Sequence, residues 1–178
     1  MKLTNKRIMI IKTITIFVSL FIFSYIYNIF PNFLTAIIFP VNESLFEHLK
    51  MIFNAEIIVS IIIYLVLKKK KHKINNYFIA LLLSTVFNII LFFLTYLPIY
   101  NRFGHNLIMT MTLYFITLSL SQYLFYLISL KPHKKIYNYF SLIIILIISI
   151  ILAYFTYNPL YTKFFFDPIH EIYGISKY

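Results

Sequence analysis

The sequence predicts an all-α fold, a polytopic integral membrane helical bundle of about five transmembrane helices with its N-terminus in and its C-terminus out. Three observations predict it. The 178-residue chain is 61% hydrophobic and only 12% charged, with a mean hydropathy of +0.85, whereas a soluble domain carries about a quarter of its residues as charges. Its apolar residues gather in five stretches of roughly twenty, the length that crosses ~30 Å of hydrocarbon at ~1.5 Å per residue. Its lysines gather in short runs between alternate stretches.

The first helix is expected over 8–30, ending before Pro31. Lys2, Lys6 and Arg7 precede it as in a signal peptide, but no small-residue cleavage site follows, so it reads as a retained anchor. The second runs over 45–67 and is stopped by Lys68-Lys69-Lys70-Lys71-His72-Lys73. The third covers 77–97, with Pro98 as its expected stop. The fourth covers 106–130 and ends at Lys131-Pro132; the fifth covers 136–157, before Asn158-Pro159. A polar, aromatic tail, 158–178, completes a single membrane domain over 1–178.

Cytoplasmic loops retain Lys and Arg, so their distribution orients the bundle. Lys2, Lys6, Arg7 and Lys12, then Lys68 to Lys71 and Lys73, then Lys131, Lys134 and Lys135 place twelve of the sixteen basic residues on one side. Arg102, Lys163 and Lys177 fall on the other, and Lys50 lies inside the second helix near its outer end. The N-terminus is therefore expected in the cytoplasm and the tail outside, in a multi-pass cell-membrane protein. His72 and His133, among the cytoplasmic lysines, are expected to be solvated.

The same composition excludes several chemistries. A charge of +11 would suggest a nucleic-acid partner in a soluble chain, but here it is loop anchoring, so no nucleic acid is expected. With no cysteine there is no disulfide, thiol catalysis or thiolate metal site. Two glycines, Gly104 and Gly174, are too few for a phosphate loop or a dinucleotide fingerprint. Without Gly-based packing motifs, helix contacts should use Ser, Thr and Ala.

Polar residues with chemical potential concentrate on the outward side. The densest segment is Phe39-Pro40-Val41-Asn42-Glu43-Ser44-Leu45-Phe46-Glu47-His48-Leu49-Lys50. On a helix, Glu43, Glu47, Lys50 and Asn54 form one stripe, with Ser44 and His48 beside it. Asn42 or Ser44 can cap the helix, and Ser44 with Glu47 has capping-box spacing. Capping leaves His48 and Lys50 unexplained, because charges at depth need partners.

This segment resembles the signature of an uncharacterised family of small polytopic bacterial membrane proteins, Pro-Val-Asn-Glu-Ser, any residue, Trp, Glu-His, any residue, Lys. Asn42, Glu43, Ser44, Glu47, His48 and Lys50 match, and Phe46 stands in place of Trp. The tail resembles the same family's ending, here Phe165-Phe166-Asp167-Pro168 and Tyr173-Gly174-Ile175. The resemblance implies a helical bundle in the bacterial cytoplasmic membrane and carries no known activity. The chain departs from the family at Ser24-Tyr25-Ile26-Tyr27, where a His is common, and at His170-Glu171; both departures weaken a metal site that needs those histidines.

Asn42, Glu43, Ser44, Glu47, His48, Lys50, Arg102, His105 and Asp167 form the candidate ligand-binding cluster. Three functions fit it. The leading one is binding or transport of a small molecule or lipid headgroup, or an accessory role, with Arg102 and Lys50 available to an anion. A structural or interaction protein acting through a membrane-protein partner is the alternative. The third is a metal-dependent membrane hydrolase: His48, Glu47 and His105 are possible ligands for a divalent metal, but no His-Glu-any-any-His spacing supports them, and no cofactor is predicted.

Two further expectations concern packing. The tail should fold back over the outer helix ends, bringing Asp167 near Lys50, His48 or Arg102, and Glu47 should pair with Lys50. In mid-membrane, Glu56 and Asn88 should lie at one depth, ~17 Å from the inner helix ends, as a hydrogen-bonded pair with the carboxyl un-ionised.

Overall fold

A computed structural model describes residues 4–104, 106–132 and 134–175. Its order is α1 (Asn5–Ile29), α2 (Phe33–Ile38), α3 (Leu45–Lys69), α4 (Tyr77–Phe103), α5 (Leu107–Ser129), α6 (Lys135–Tyr157), β1 (Phe166–Asp167) and β2 (Ile172–Tyr173). Five helices are long and apolar enough to cross a membrane: all but α2. The bundle has a lysine end, with the α3–α4 and α5–α6 connections, and a tail end, with α2 and the chain after α6.

Helix boundaries follow local signals. Thr4, Ser44 and Asn106 cap α1, α3 and α5 by accepting backbone N–H groups through their side chains. The helix containing Pro98 does not stop there: α4 continues to Phe103 and ends at Gly104, whose φ of 72° takes the chain out of the helix. A proline forfeits one backbone bond, and in an apolar setting the remaining bonds favour keeping the helix intact. The short α2 lies in a stretch read as a connection. Its signal is Asn32 followed by Thr35, which form a reciprocal capping box.

The helices meet through small and polar residues. α4 packs most extensively on α5, burying Ala80, Ser84 and Thr85 on one and Thr117 and Ser121 on the other. Such residues let backbones approach closely without glycine. Aromatic and branched side chains complete the core, with Phe53, Leu81, Phe92, Leu118 and Phe125 fully enclosed. The outer face is apolar as well: α6 alone exposes Ile143, Leu146, Ile147, Ile150 and Ile151.

β1 and β2 form a two-stranded antiparallel hairpin, the one departure from an all-helical chain among the described residues. It folds the tail back over the bundle. Phe46 N–H donates to Phe164 O at 3.0 Å, and the Phe46 and Phe165 rings stack at 4.5 Å. Asn42 Nδ2 donates to Gly174 O at 2.7 Å.

Candidate functional site

The polar residues of the tail end sort into separate assemblies, and their geometry decides which are occupied with structure. Glu47 and Lys50 are fully buried and form an ion pair at 2.6 Å. Lys50 Nζ also donates to Ala36 O at 2.8 Å and to Thr156 Oγ1 at 2.9 Å. Glu47 in turn accepts from Val41 N–H at 3.0 Å and from Thr156 Oγ1 at 3.2 Å. Asn54 Nδ2 donates to Ile38 O at 2.7 Å. Lys50 and Asn54 thus satisfy carbonyls at the C-terminal end of α2, where a cation also suits the helix dipole. The assembly locks α2, α3 and α6 together. It spends the lysine that was expected to face an anion.

Asp167 is occupied too. Its Oδ1 accepts from the backbone N–H groups of Ile169 (2.8 Å) and His170 (3.2 Å), and its Oδ2 from Glu43 N–H (3.1 Å) and from the His170 ring (2.7 Å). Burial pushes this carboxyl up, but the His170 bond and the three backbone donors outweigh it and hold it below the ordinary Asp value. Its partners are therefore Glu43 and His170, in place of Lys50, His48 or Arg102.

Glu43 and His48 are less fully engaged. The helix starts only at Leu45, so Glu43 lies before the Ser44 cap and off the stripe expected for it. Ser44 Oγ accepts from Glu47 N–H at 3.3 Å, while Asn42 Oδ1 accepts from Ser44 N–H at 2.9 Å. That turn directs Glu43 back toward His48, whose Nε2 lies 3.6 Å from Glu43 Oε2. His48 Nδ1 is 2.9 Å from Ser44 O, which fixes it as the N–H donor and leaves Nε2 facing the carboxylate.

This pair stands at the mouth of a cleft of about 320 Å³ between α1, α3, α4 and α5. Its walls include Leu20, Met51, Ile52, Phe92 and Met111; Ser24, Asn28 and Thr110 add polar atoms, and Ile169 of the tail borders it. Tyr114 forms its inner limit, with a buried hydroxyl whose polar neighbour is the Asn88 side chain. Arg102 is exposed, with its guanidinium 5.4 Å from the Phe103 ring, and lines none of this. His105 and His133 lie outside the described residues. Among the described residues no three His, Asp or Glu side chains group as a metal would require.

Behind Tyr114 lies a second polar centre. Glu56, fully buried, accepts from Asn88 Nδ2 at 2.6 Å, Thr85 Oγ1 at 3.0 Å and Gln122 Nε2 at 3.3 Å. The expected meeting of Glu56 with Asn88 is there, and Thr85 and Gln122 donate to the same carboxyl group. Near it is Lys12, counted in the sequence as a loop anchor yet wholly buried in α1. Its ammonium lies 3.6 Å from the Phe125 ring centroid, close enough to interact with Glu56 electrostatically but forming no direct ion pair. Burial corrects its assignment: seven residues into α1 it is ~10 Å from the helix start. Ser60 Oγ and Gln122 Oε1 are also enclosed without side-chain or backbone partners among the described residues.

Sequence reasoning missed Lys12, Thr85, Tyr114 and Gln122. A signal existed in α5, where Thr110, Tyr114, Thr117 and Ser121 recur at three- and four-residue spacing and are all buried. At the lysine end, His72 is half-buried, with Nε2 3.3 Å from Asn5 Oδ1, and is not simply solvated.

Comparison with known proteins adds a family but no activity. Neither the curated proteins nor the solved structures contain a match to this chain. The sequence model of one family of unknown function, DUF6512, matches residues 1–175. With almost the whole length covered, the chain belongs to the DUF6512 family.

Proposed function

We propose that this protein is a multi-pass component of the bacterial cytoplasmic membrane, N-terminus inside and tail outside, that binds a small amphiphile through the cleft at its outward face. The single observation that carries the reading is the cleft itself. Apolar walls lead from the Glu43–His48 pair to the buried Tyr114 hydroxyl. A largely apolar cavity of roughly 300 Å³ or more with a few convergent polar groups is the usual form of a small-molecule site.

The charge at the mouth selects the ligand's polar part. The Glu43 carboxylate at the mouth accepts hydrogen bonds, so an amine or polyol head suits it better than an anion. The membrane placement is supported by the five apolar spans and by lysines gathered at one end. Transport is the natural extension, since the cleft approaches the buried Lys12–Glu56 centre. A purely structural role is favoured only for the Glu47–Lys50 lock, whose polar atoms are all partnered.

The test is thermal unfolding of detergent-purified protein with single-chain amphiphiles carrying amine, polyol or phosphate heads. At least one amine or polyol amphiphile should raise the midpoint in wild type and not in Met111→Trp, which fills the cleft, or Glu43→Gln. If no amphiphile discriminates wild type from Met111→Trp, the cleft is not a binding site.

A further inference from the structure

The lysine end carries a site of its own, distinct from the cleft. A basin of about 660 Å³ is lined by Lys68 in the last turn of α3, by Lys71 and Lys73 of the α3–α4 connection and by Lys135 at the start of α6. Tyr64 and Tyr77 also line it. The same two tyrosines, with Ile74 and Lys135, open into an adjoining slot of about 230 Å³ lined further by Phe78, Tyr139 and Leu142. From Lys135 to Leu142 the slot follows α6 for ~10 Å toward the middle of the bundle. A cationic basin therefore continues into an apolar, aromatic groove.

The connection that presents the lysines is held in one shape. Lys70 and His72 N–H groups bond back to Val66 O and Leu67 O at 3.0 Å, closing the end of α3, and Lys71 takes a φ of 54°. Asn5 holds the His72 ring. On the facing side, Asn76 Nδ2 donates to Lys131 O and Pro132 O, and its Oδ1 accepts from Lys134 N–H, tying the two connections together. No acidic side chain among the described residues neutralises this end. Of the five acids, Glu43, Asp167 and Glu171 sit at the tail end and Glu47 and Glu56 are buried in other pairings.

Four ammonium groups around one basin repel each other unless an anion joins them. We propose that this basin and slot bind an anionic phospholipid, with its phosphate among Lys68, Lys71, Lys73 and Lys135 and part of one acyl chain along Tyr139 and Leu142. Phosphate is the shared chemistry of a lipid headgroup and a free anion, and the groove commits the site to the lipid. The proposal rests on the membrane reading above, whose inner leaflet supplies such lipids. It is independent of the outward cleft.

Detergent-purified full-length protein is titrated with phosphatidylglycerol, with phosphatidylcholine of identical chains, and with inorganic phosphate, following the unfolding midpoint. Phosphatidylglycerol should raise it, phosphatidylcholine and phosphate should do so far less, and added salt should erode the effect. Replacing Lys71, Lys73 and Lys135 together by Gln should weaken the apparent affinity on the order of a hundredfold, about fivefold per lysine, and Lys163→Gln at the tail end should not. Should the triple variant fail to fold, native mass spectrometry of wild type decides between the same outcomes by counting retained phosphatidylglycerol against phosphatidylcholine. Equal response to both lipids, an undiminished response in the triple variant, or a full response to inorganic phosphate alone overturns the proposal. A protein that stays monodisperse without detergent would instead overturn the membrane reading.

Discussion

Removing Glu56 should cost far more than its hydrogen bonds, and removing Lys12 with it should recover much of the loss. Three interhelical donors at ~0.6 kcal/mol each account for about 2 kcal/mol. Glu56→Leu also strands the enclosed Lys12 ammonium, and breaking one side of a buried charge pair typically costs about 3–5 kcal/mol. The single variant should therefore lose about 5–7 kcal/mol. Lys12→Met should lose about 3 kcal/mol, because the carboxylate keeps Thr85, Asn88 and Gln122. The double variant should lose only about 2 kcal/mol, chiefly from the stranded amides, which leaves a coupling of several kcal/mol, at or above the usual upper range for contacting groups. The assay is equilibrium unfolding in mixed micelles with a denaturing detergent. Additive losses, with coupling within about 0.5 kcal/mol of zero, would refute the pairing of Lys12 with Glu56. Glu56→Gln separates charge from shape: it retains polar contacts in α4 and α5 but should still leave Lys12 uncompensated.

Two further outcomes concern the tail. Asp167 is held below its unfolded value of ~3.9, so its contribution to docking is complete above that value and lost as the pH falls through the lower folded value; hydrogen exchange at the Glu43 amide, which it accepts, should accelerate in that acid window and be fast at all pH in Asp167→Asn. Gly174 has a φ of +68°, and an added Cβ would come within 2.8 Å of the Pro159 ring. Gly174→Ala should destabilise the tail by about 1–3 kcal/mol, read as earlier proteolytic release of the C-terminus with the helical content unchanged.

The spans were legible because hydropathy over twenty residues reports on burial in any apolar phase, whichever neighbour supplies it. Termination was less so. Pro98 looks like a stop because its ring costs a backbone bond, whereas the effective stop is Gly104, which needs the left-handed conformation. The site was legible by composition and not by grouping. Glu43, Glu47, His48 and Lys50 crowd into eight residues, yet a cap at Ser44 sends Glu43 toward the cleft while Glu47 and Lys50 turn inward to α2 and α6. Spacing along one helix cannot report partners from α2 or from Thr156, more than a hundred residues away. Lys12 was hidden for the opposite reason: a lysine seven residues into a helix near the basic N-terminus looks like one more anchor until α3 and α5 enclose it.

Hydrogen-bond satisfaction separates structural polarity from polarity that awaits a partner. In the Glu47–Lys50 lock every polar side-chain atom has a neighbour, so replacing the lock with well-packed apolar groups is the kind of change a fold tolerates. Around Glu56 the balance differs. Lys12 Nζ, Ser60 Oγ and Gln122 Oε1 are enclosed without one among the described residues, and each such group costs about 1–3 kcal/mol relative to a satisfied one. A bundle built only for stability would place Leu or Phe at these positions, as it does at Phe92 and Leu118 nearby. Donors and acceptors are both left over, so one small polar guest, or one rearrangement of the amides, can satisfy several at once. Tyr114 borders both this centre and the cleft, so on the proposed reading a molecule entering at Glu43 and His48 would reach Lys12 and Glu56 from one side only. The Tyr114 hydroxyl would then be the point at which binding in the cleft and polarity in the core influence each other.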